Sequence, residues 1–121
     1  MSLRDLIVGD LKIRAEDGSH GIVLSWRGKS IERQPGKVLG PYLLLAVREA
    51  ASSGSSLELR FERLEHFNSS TVAVLIQLIQ DCKQSSVRLS FVYDASQNWQ
   101  KLSFEALQVF VRDGLLELRS S

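Results

Sequence analysis

Apolar and polar residues alternate with period two along four segments of the chain, around residues 11–16, 22–27, 57–62 and 87–93. Such alternation sends apolar side chains to one face of a β-strand and polar side chains to the other. A strand covered by helices on both faces would be apolar throughout. The sequence therefore predicts a sheet with one face covered by helices and the other face in contact with solvent.

Three further segments repeat apolar residues at the spacing of an amphipathic helix, over about residues 37–52, 69–84 and 98–112. The segment EDGSHG between the first two strands has the Gly and Asp residues of a hairpin turn. A final run, LLELR, predicts an edge strand. The predicted order is β-β-α-β-α-β-α with a closing strand. This is a two-layer α/β fold, in which a mixed sheet of four to five strands carries its helices on one face.

The length and composition of the chain predict one domain over residues 1–121. A chain of 121 residues with 44% hydrophobic content has enough apolar side chains for one compact core. No low-complexity tract or linker divides it. Residues 1–9 are expected to be disordered or partly tag-derived.

The charge and cysteine counts argue against several classes of function. Fifteen Lys and Arg residues are balanced by fourteen Asp and Glu residues, whereas nucleic-acid binding needs clustered cations. One cysteine excludes an internal disulfide and a Cys-rich zinc site. The longest apolar runs fall short of the roughly 20 residues that cross a bilayer, and charges interrupt the N-terminal segment where a signal peptide would be apolar. We expect a cytoplasmic protein that binds no cofactor, metal, membrane or nucleic acid.

The turn His66–Thr71, with the sequence HFNSST, joins the third predicted strand to the second helix. Asn68 is expected to cap the helix by accepting hydrogen bonds from its first N–H groups. A cap needs one such side chain, so at least one hydroxyl of Ser69, Ser70 and Thr71 should face solvent near the positive end of the helix dipole. Either these residues only cap the helix, or one of them is phosphorylated. A phosphate there would be stabilised locally and would change the surface that a partner contacts.

The helix after this turn has a second feature of interest. At 3.6 residues per turn, its predicted core stripe is Val72, Leu75, Ile76, Ile79 and Cys82. Val74 and Leu78 lie outside the centre of that stripe. They are either the edge of a wide buried face or a contact patch for a partner beside the hydroxyl cluster.

Three short motifs, in this order, resemble those of STAS domains, the fold of anti-sigma-factor antagonists. They are Gly28–Ser30 after the second strand, Phe67–Thr71 at the turn, and Tyr93–Ala95 at the end of the fourth strand. The likeness covers residues 22–118 and is closer to the SiaC-type bacterial regulatory phosphoproteins. Many STAS domains have Asp before the serines and Gly after them, whereas this chain has Asn68 and Thr71, which matches the SiaC type better.

The resemblance implies a non-enzymatic switch in a partner-switching pathway. In that family a serine/threonine protein kinase phosphorylates a hydroxyl at the turn and a PP2C-type phosphatase removes the phosphate. The unmodified form binds an output partner, which in SiaC-like proteins is similar to a diguanylate cyclase. By position, the implied acceptor is Ser69, with Ser70 and Thr71 as secondary candidates. The candidate partner-binding residues are Asn68, Val74, Leu78 and Ser30.

Three alternatives stay open at the level of sequence. A STAS-type domain can be a small-molecule sensor, or a scaffold subunit that is never phosphorylated. An enzyme is the third alternative, since His66 and Ser70 are residue types found in nucleophilic catalysis. However, no G-x-S-x-G nucleophile elbow surrounds Ser70, and no acid that would orient the histidine can be identified.

Overall fold

The computed structural model describes residues 3–121, which form a two-layer α/β fold. The strands are Leu6–Val8 (β1), Leu11–Asp17 (β2), Gly21–Ser30 (β3), Ser56–Phe67 (β4), Leu89–Tyr93 (β5) and Glu117–Ser120 (β6). The helices are Leu39–Ser53 (α1), Ser69–Gln84 (α2), Asn98–Glu105 (α3) and Gln108–Arg112 (α4), with a 3₁₀ turn at Pro35–Lys37. The predicted fold class, a mixed sheet with helices on one face, is confirmed.

The six strands form one sheet in the order of the chain. Strands β1, β2 and β3 are antiparallel neighbours, whereas β3, β4, β5 and β6 run parallel to one another. Parallel neighbours need a crossover, and here each crossover contains helix. Because β3 and β4 are parallel, their carboxyl ends meet at the same edge, where the candidate site lies.

The predicted hairpin between β2 and β3 is present, with Gly18 N donating to Gly21 O at 2.6 Å. Gly28 further along β3 is required by geometry. Its φ of 86° lies in the left-handed region, and a Cβ added there would overlap the carbonyl oxygen of Asp10. That carbonyl accepts a hydrogen bond from Lys29 N at 3.1 Å, so the glycine lets two segments of backbone meet closely.

The core lies between the helices and one face of the sheet, and its centre is aromatic. The Phe61 ring centroid is 5.0 Å from that of Trp26, 5.3 Å from that of Phe91 and 4.9 Å from that of Phe104. These rings come from β3, β4, β5 and α3, and all four side chains are fully buried. Aromatic pairs at such separations add stability beyond the area that they bury.

A buried glutamine supports the long strand β4 on the side where its shorter neighbour β5 has ended. The last β4–β5 pair joins Arg60 to Val92. Beyond it, Gln100 of α3 donates from Nε2 to Phe61 O at 2.7 Å and to Leu64 O at 3.0 Å. Buried carbonyls need partners, so this one side chain, which is completely buried, lets β4 continue to the turn.

Two details differ from the sequence-based predictions. The sheet has six strands instead of four to five, because Leu6–Val8 forms β1 within the stretch that was expected to be disordered; its register with β2 pairs Leu6 with Ile13. Met1 and Ser2 of that stretch lie outside the described residues. The third predicted helix is two helices, since Leu107 N donates to Phe104 O at 3.0 Å and the chain turns there. The predicted closing strand is β6.

Between residues 3 and 121, no helix is both long enough and apolar enough to cross a membrane.

Candidate functional site

Helix α2 begins immediately after β4, and Asn68 caps it. Asn68 has extended backbone angles, φ −92° and ψ 173°, and its side-chain Oδ1 accepts a hydrogen bond from Thr71 N at 2.9 Å. This is the geometry of an asparagine N-cap, in which the side chain satisfies the N–H of the third helical residue. Asn68 therefore fixes where the 16-residue helix starts.

The three hydroxyl residues after Asn68 have different environments. Ser69 is exposed, Ser70 is half-buried and Thr71 is fully buried. Within the described part of the chain, the hydroxyls of Ser69 and Ser70 form no hydrogen bond. Ser69 is also the first residue of α2, where backbone N–H groups point away from the helix and favour negative charge.

Thr71 is held in a buried chain of hydrogen bonds. Its Oγ1 donates to Asn68 Oδ1 at 2.8 Å, and the Ser30 Oγ lies 2.7 Å from the same Thr71 oxygen. Because the Thr71 proton is directed at Asn68, the Ser30 hydroxyl is the donor in the second bond. The chain of donors thus runs from Ser30 through Thr71 to Asn68, and it satisfies two hydroxyls that would otherwise be buried without partners.

Asn68 also binds the loop that follows β3. Its backbone N donates to Ser30 O at 3.0 Å, and its side-chain Nδ2 donates to Glu32 O at 3.0 Å. The amide group therefore has two roles: its oxygen caps α2 and its nitrogen holds the loop. Aspartate in the same position would cap equally well but would have no N–H for Glu32.

Burial corrects two of the predicted site residues. Thr71, a secondary phosphoacceptor candidate, is 0% exposed, and Ser30, a candidate for partner contact, is 2% exposed. A kinase or partner cannot reach either hydroxyl while the fold is intact. Both are supporting residues, since their hydroxyls join the end of β3 to the first turn of α2.

Leu78 is also corrected, because it is 1% exposed and belongs to the core. Helix α2 packs against α1 and the 3₁₀ turn, and its buried residues belong to the same core as those of the sheet, so its buried stripe is wider than one helix face predicts. Val74 is half-buried and keeps part of its surface in solvent. Cys82 is fully buried, as the predicted stripe required.

Sequence reasoning missed two apolar residues beside this site. Ile31 is 48% exposed and Val38 is 46% exposed, and both belong to the loop between β3 and α1. Ile31 directly follows Ser30, whose carbonyl binds Asn68 N. In the sequence, the signal for them is two β-branched residues in an otherwise polar segment.

The third motif, Tyr93–Ala95, lies elsewhere. Asp94 accepts hydrogen bonds from the Ser96 hydroxyl at 2.6 Å and from Ser96 N at 2.9 Å, and these bonds lower the pKa of the Asp94 carboxyl. The neighbouring Gln97 donates to Glu62 O at 2.9 Å, so this turn adjoins the middle of β4. The first two motifs meet at one site, while the third organises the start of α3.

His66 lies beside an aromatic ring of α3. The His66 ring centroid lies 6.1 Å from that of Trp99, and no hydrogen bond joins His66 to Ser70 among residues 3–121. The cavity beside Ser30 and Val38 has a volume of about 50 Å³. Sites for metabolites are several times larger, in the range of about 300–1,000 Å³.

No protein-family model matches the chain, and no curated protein matches it. Among solved structures, the chain is similar to the anti-sigma factor antagonist SpoIIAA in its unphosphorylated form. The TM-score is 0.49 and the sequence identity is 16%, over 66% of this chain and 71% of that chain.

Proposed function

We propose that this chain is a phosphorylation-controlled protein-binding module and that Ser69 is the phosphoacceptor. The observation that carries the proposal is the contrast within the turn: Ser69 has an exposed hydroxyl without a partner in the described chain, whereas Thr71 is buried and hydrogen-bonded on both sides. Ser70, which is half-buried, is the second candidate. The resemblance of the turn to SiaC-type proteins supports a serine/threonine kinase and a PP2C-type phosphatase as the modifying enzymes.

The position of Ser69 suits a reversible switch on electrostatic grounds. A phosphoserine carries a charge of about −1.5 to −2 near neutral pH. At the first residue of α2, this charge would interact favourably with the helix dipole and with unpaired N–H groups. The folded state therefore tolerates both forms of the residue. The phosphate is expected to change the free energy of partner binding and not the stability of the fold.

The surface that would bind a partner lies on both sides of Ser69. Ile31 and Val38 supply exposed apolar area on the loop side, and Val74 supplies a half-buried apolar side chain one helical turn after the hydroxyl cluster. An apolar partner surface docked here would have to desolvate a phosphate at Ser69, which is costly. The unmodified form is therefore the binding form, with an output protein such as a diguanylate cyclase as the partner.

Mass spectrometry of the protein purified from its own cells tests the phosphoacceptor. Trypsin is expected to release residues 64–83, which contain the whole turn. We expect one phosphate, located on Ser69, and we expect Ser69→Ala to lose it while Ser70→Ala keeps it. A phosphate on Ser70 alone, or an unmodified peptide under all growth conditions, would contradict the proposal, and the second result would favour the scaffold alternative.

A capture experiment tests the switch itself. The protein with Ser69→Ala and the protein with Ser69→Asp are each immobilised and exposed to lysate of the same cells. We expect a partner that is retained by the alanine form and by the wild type but is depleted at least about tenfold on the aspartate form. Equal retention by both variants would show that the charge at Ser69 does not control binding.

A further inference from the structure

The face of the sheet opposite the helices is open to solvent, and the strand register orders its side chains into rows. Three rows cross β2, β3 and β4 on this face. They are Glu16–Val23–Glu58, Arg14–Ser25–Arg60 and Lys12–Arg27–Arg63. The charge therefore changes from acidic at one end of the face to basic at the carboxyl ends of β3 and β4.

Ion pairs compensate the charges in one part of this face. Arg60 donates from Nε to Glu62 Oε1 at 2.8 Å and lies 3.4 Å from Glu58. Arg119 of β6 pairs with Glu58 and, at 3.2 Å, with Glu117. Alternating charges on adjacent strands are the ordinary arrangement of a solvated sheet face.

The basic end is different, because its charges are not compensated. Lys12, Arg27 and Arg63 are exposed and lie side by side on three adjacent strands, with neighbouring strands about 4.8 Å apart. Arg14 follows in the next row. Within the part of the chain that the structure describes, none of these four cations forms an ion pair within 4.0 Å. Like charges directly opposite each other destabilise a sheet, so this row has a cost in stability that no ion pair among residues 3–121 offsets.

We propose that this basic patch, defined by Lys12, Arg14, Arg27 and Arg63, binds a short acidic segment of a partner protein. Arginine side chains bind carboxylates with two parallel hydrogen bonds, which favours Asp and Glu side chains as ligands. The patch measures roughly 10 Å across the strands and roughly 7 Å along them. These dimensions suit a few consecutive acidic residues, and Arg14, Arg27 and Arg63 line one groove of about 670 Å³.

The same groove argues against nucleic acid as the ligand. Glu16, Asp17 and Glu62 line it together with the arginines, and they would repel any long polyanion that continued past the patch, whether a phosphate backbone or an extended acidic peptide. Trp26 also lines the groove, but it is 1% exposed and its ring packs on Phe61, so it offers no stacking platform for a base. A short peptide needs neither a long cationic track nor a stacking residue.

This surface lies on the opposite side of the sheet from α2, so the inference does not depend on the proposed role of Ser69. A module with an acidic-segment site on its sheet face and a phosphorylation site at α2 would hold two partners, or two parts of one partner, at once. Each surface is tested by substitutions that leave the other unchanged.

Fluorescence anisotropy with a fluorescein-labelled hexaglutamate peptide tests the patch at low ionic strength. We expect Arg27→Gln and Arg63→Gln each to weaken binding at least about fivefold, and the double variant to weaken it more than about twentyfold. The matched control is Arg119→Gln, which removes the same charge from the same face outside the patch. It should change the affinity less than about twofold, and added salt should weaken binding to the wild type.

Several results would overturn the proposal. They are the absence of measurable binding to the wild type, an equal loss of affinity in Arg119→Gln, and unchanged affinity in the double variant. Tighter binding of a labelled hexathymidylate than of hexaglutamate would also overturn it, in favour of single-stranded nucleic acid. Thermal unfolding of each variant verifies that it is folded, and because the substituted side chains are exposed we expect cooperative transitions for all of them.

Discussion

The hydroxyls of Ser30 and Thr71 lie 2.7 Å apart in the interior of the protein, although 41 residues separate them in the chain. Ser30 ends β3 and Thr71 belongs to the first turn of α2, so the contact joins two elements that the sequence presents separately. Asn68 extends the connection by binding Ser30 O and Glu32 O. The loop after β3 and the start of α2 are therefore one structural unit, and a charge added at Ser69 acts on that unit.

Thr71→Val should destabilise the protein, because valine keeps the shape of threonine but cannot hydrogen-bond. Ser30 Oγ would then be buried without its partner, and the loss should be about 1–3 kcal/mol in the free energy of unfolding. Urea denaturation measures it. Thr71→Ser is the matched control and should retain most of the stability, while Ser30→Ala combined with Thr71→Val should cost less than the sum of the single changes. A loss for Thr71→Val that is no larger than the loss for Thr71→Ser would contradict the prediction, because the hydrogen bond would then contribute no more than the methyl contact that serine lacks.

Asn68→Asp should separate the two roles of the cap. The carboxylate can still accept from Thr71 N, and a negative charge at a helix start is favourable, so global stability should change by less than about 1 kcal/mol. The bond to Glu32 O is lost, because aspartate has no N–H. Hydrogen exchange of residues 32–38 should therefore accelerate while that of α2 does not.

Asn68→Ala is the comparison variant, since it removes both roles. It should destabilise the protein by about 1 kcal/mol and accelerate exchange in the first turn of α2 as well as in the loop. Unchanged exchange of residues 32–38 in Asn68→Asp would show that the amide does not hold the loop.

Local chemistry made much of α2 predictable. Asn68 is a strong N-cap residue and the apolar spacing continues to Cys82, so the helix was predicted at the bounds that it has. The environment of each hydroxyl was not predictable in the same way. Thr71 is buried because the end of β3 lies beside it, and that position depends on the parallel pairing of Ser30 with Phe67.

The features that the sequence did not predict also depend on tertiary contacts. Leu78 lies outside a single-face stripe but is buried, since α1 and the 3₁₀ turn flank the helix. Strand β1 has three residues and no strong pattern of its own, and it exists through its pairing with β2. The basic patch was invisible in the overall charge balance, because its members come from three strands and become neighbours only through the sheet register.

Protonation of Glu62 at acid pH should lower the free energy of unfolding, because it removes the ion pair with Arg60. The hydrogen bond from Arg60 lowers the pKa of the Glu62 carboxyl below its ordinary value. A carboxyl whose pKa is lower in the folded state contributes stability above its unfolded pKa, and this contribution is lost as the pH falls through the folded value. Arg60→Gln should therefore reduce the loss of stability between about pH 5 and pH 3. Urea denaturation over this range measures it, with Arg63→Gln as a control that forms no ion pair with Glu62.

Removing one charge from the basic patch should stabilise the free protein. Arg27 lies directly between Lys12 and Arg63 in the register, so Arg27→Gln removes two unfavourable neighbours, and at low salt the free energy of unfolding should rise by about 0.2–1 kcal/mol. Arg119→Gln should have the opposite sign, because it breaks pairs with Glu58 and Glu117. Thermal and urea denaturation at two salt concentrations measure both effects, and salt should reduce each of them.

A residue that destabilises the free protein is retained when binding requires it, so a stabilised Arg27→Gln that also loses the acidic peptide would identify the patch as a binding surface. If Arg27→Gln is instead less stable than the wild type, contacts within the chain stabilise Arg27. The repulsion that an acidic partner would relieve is then absent.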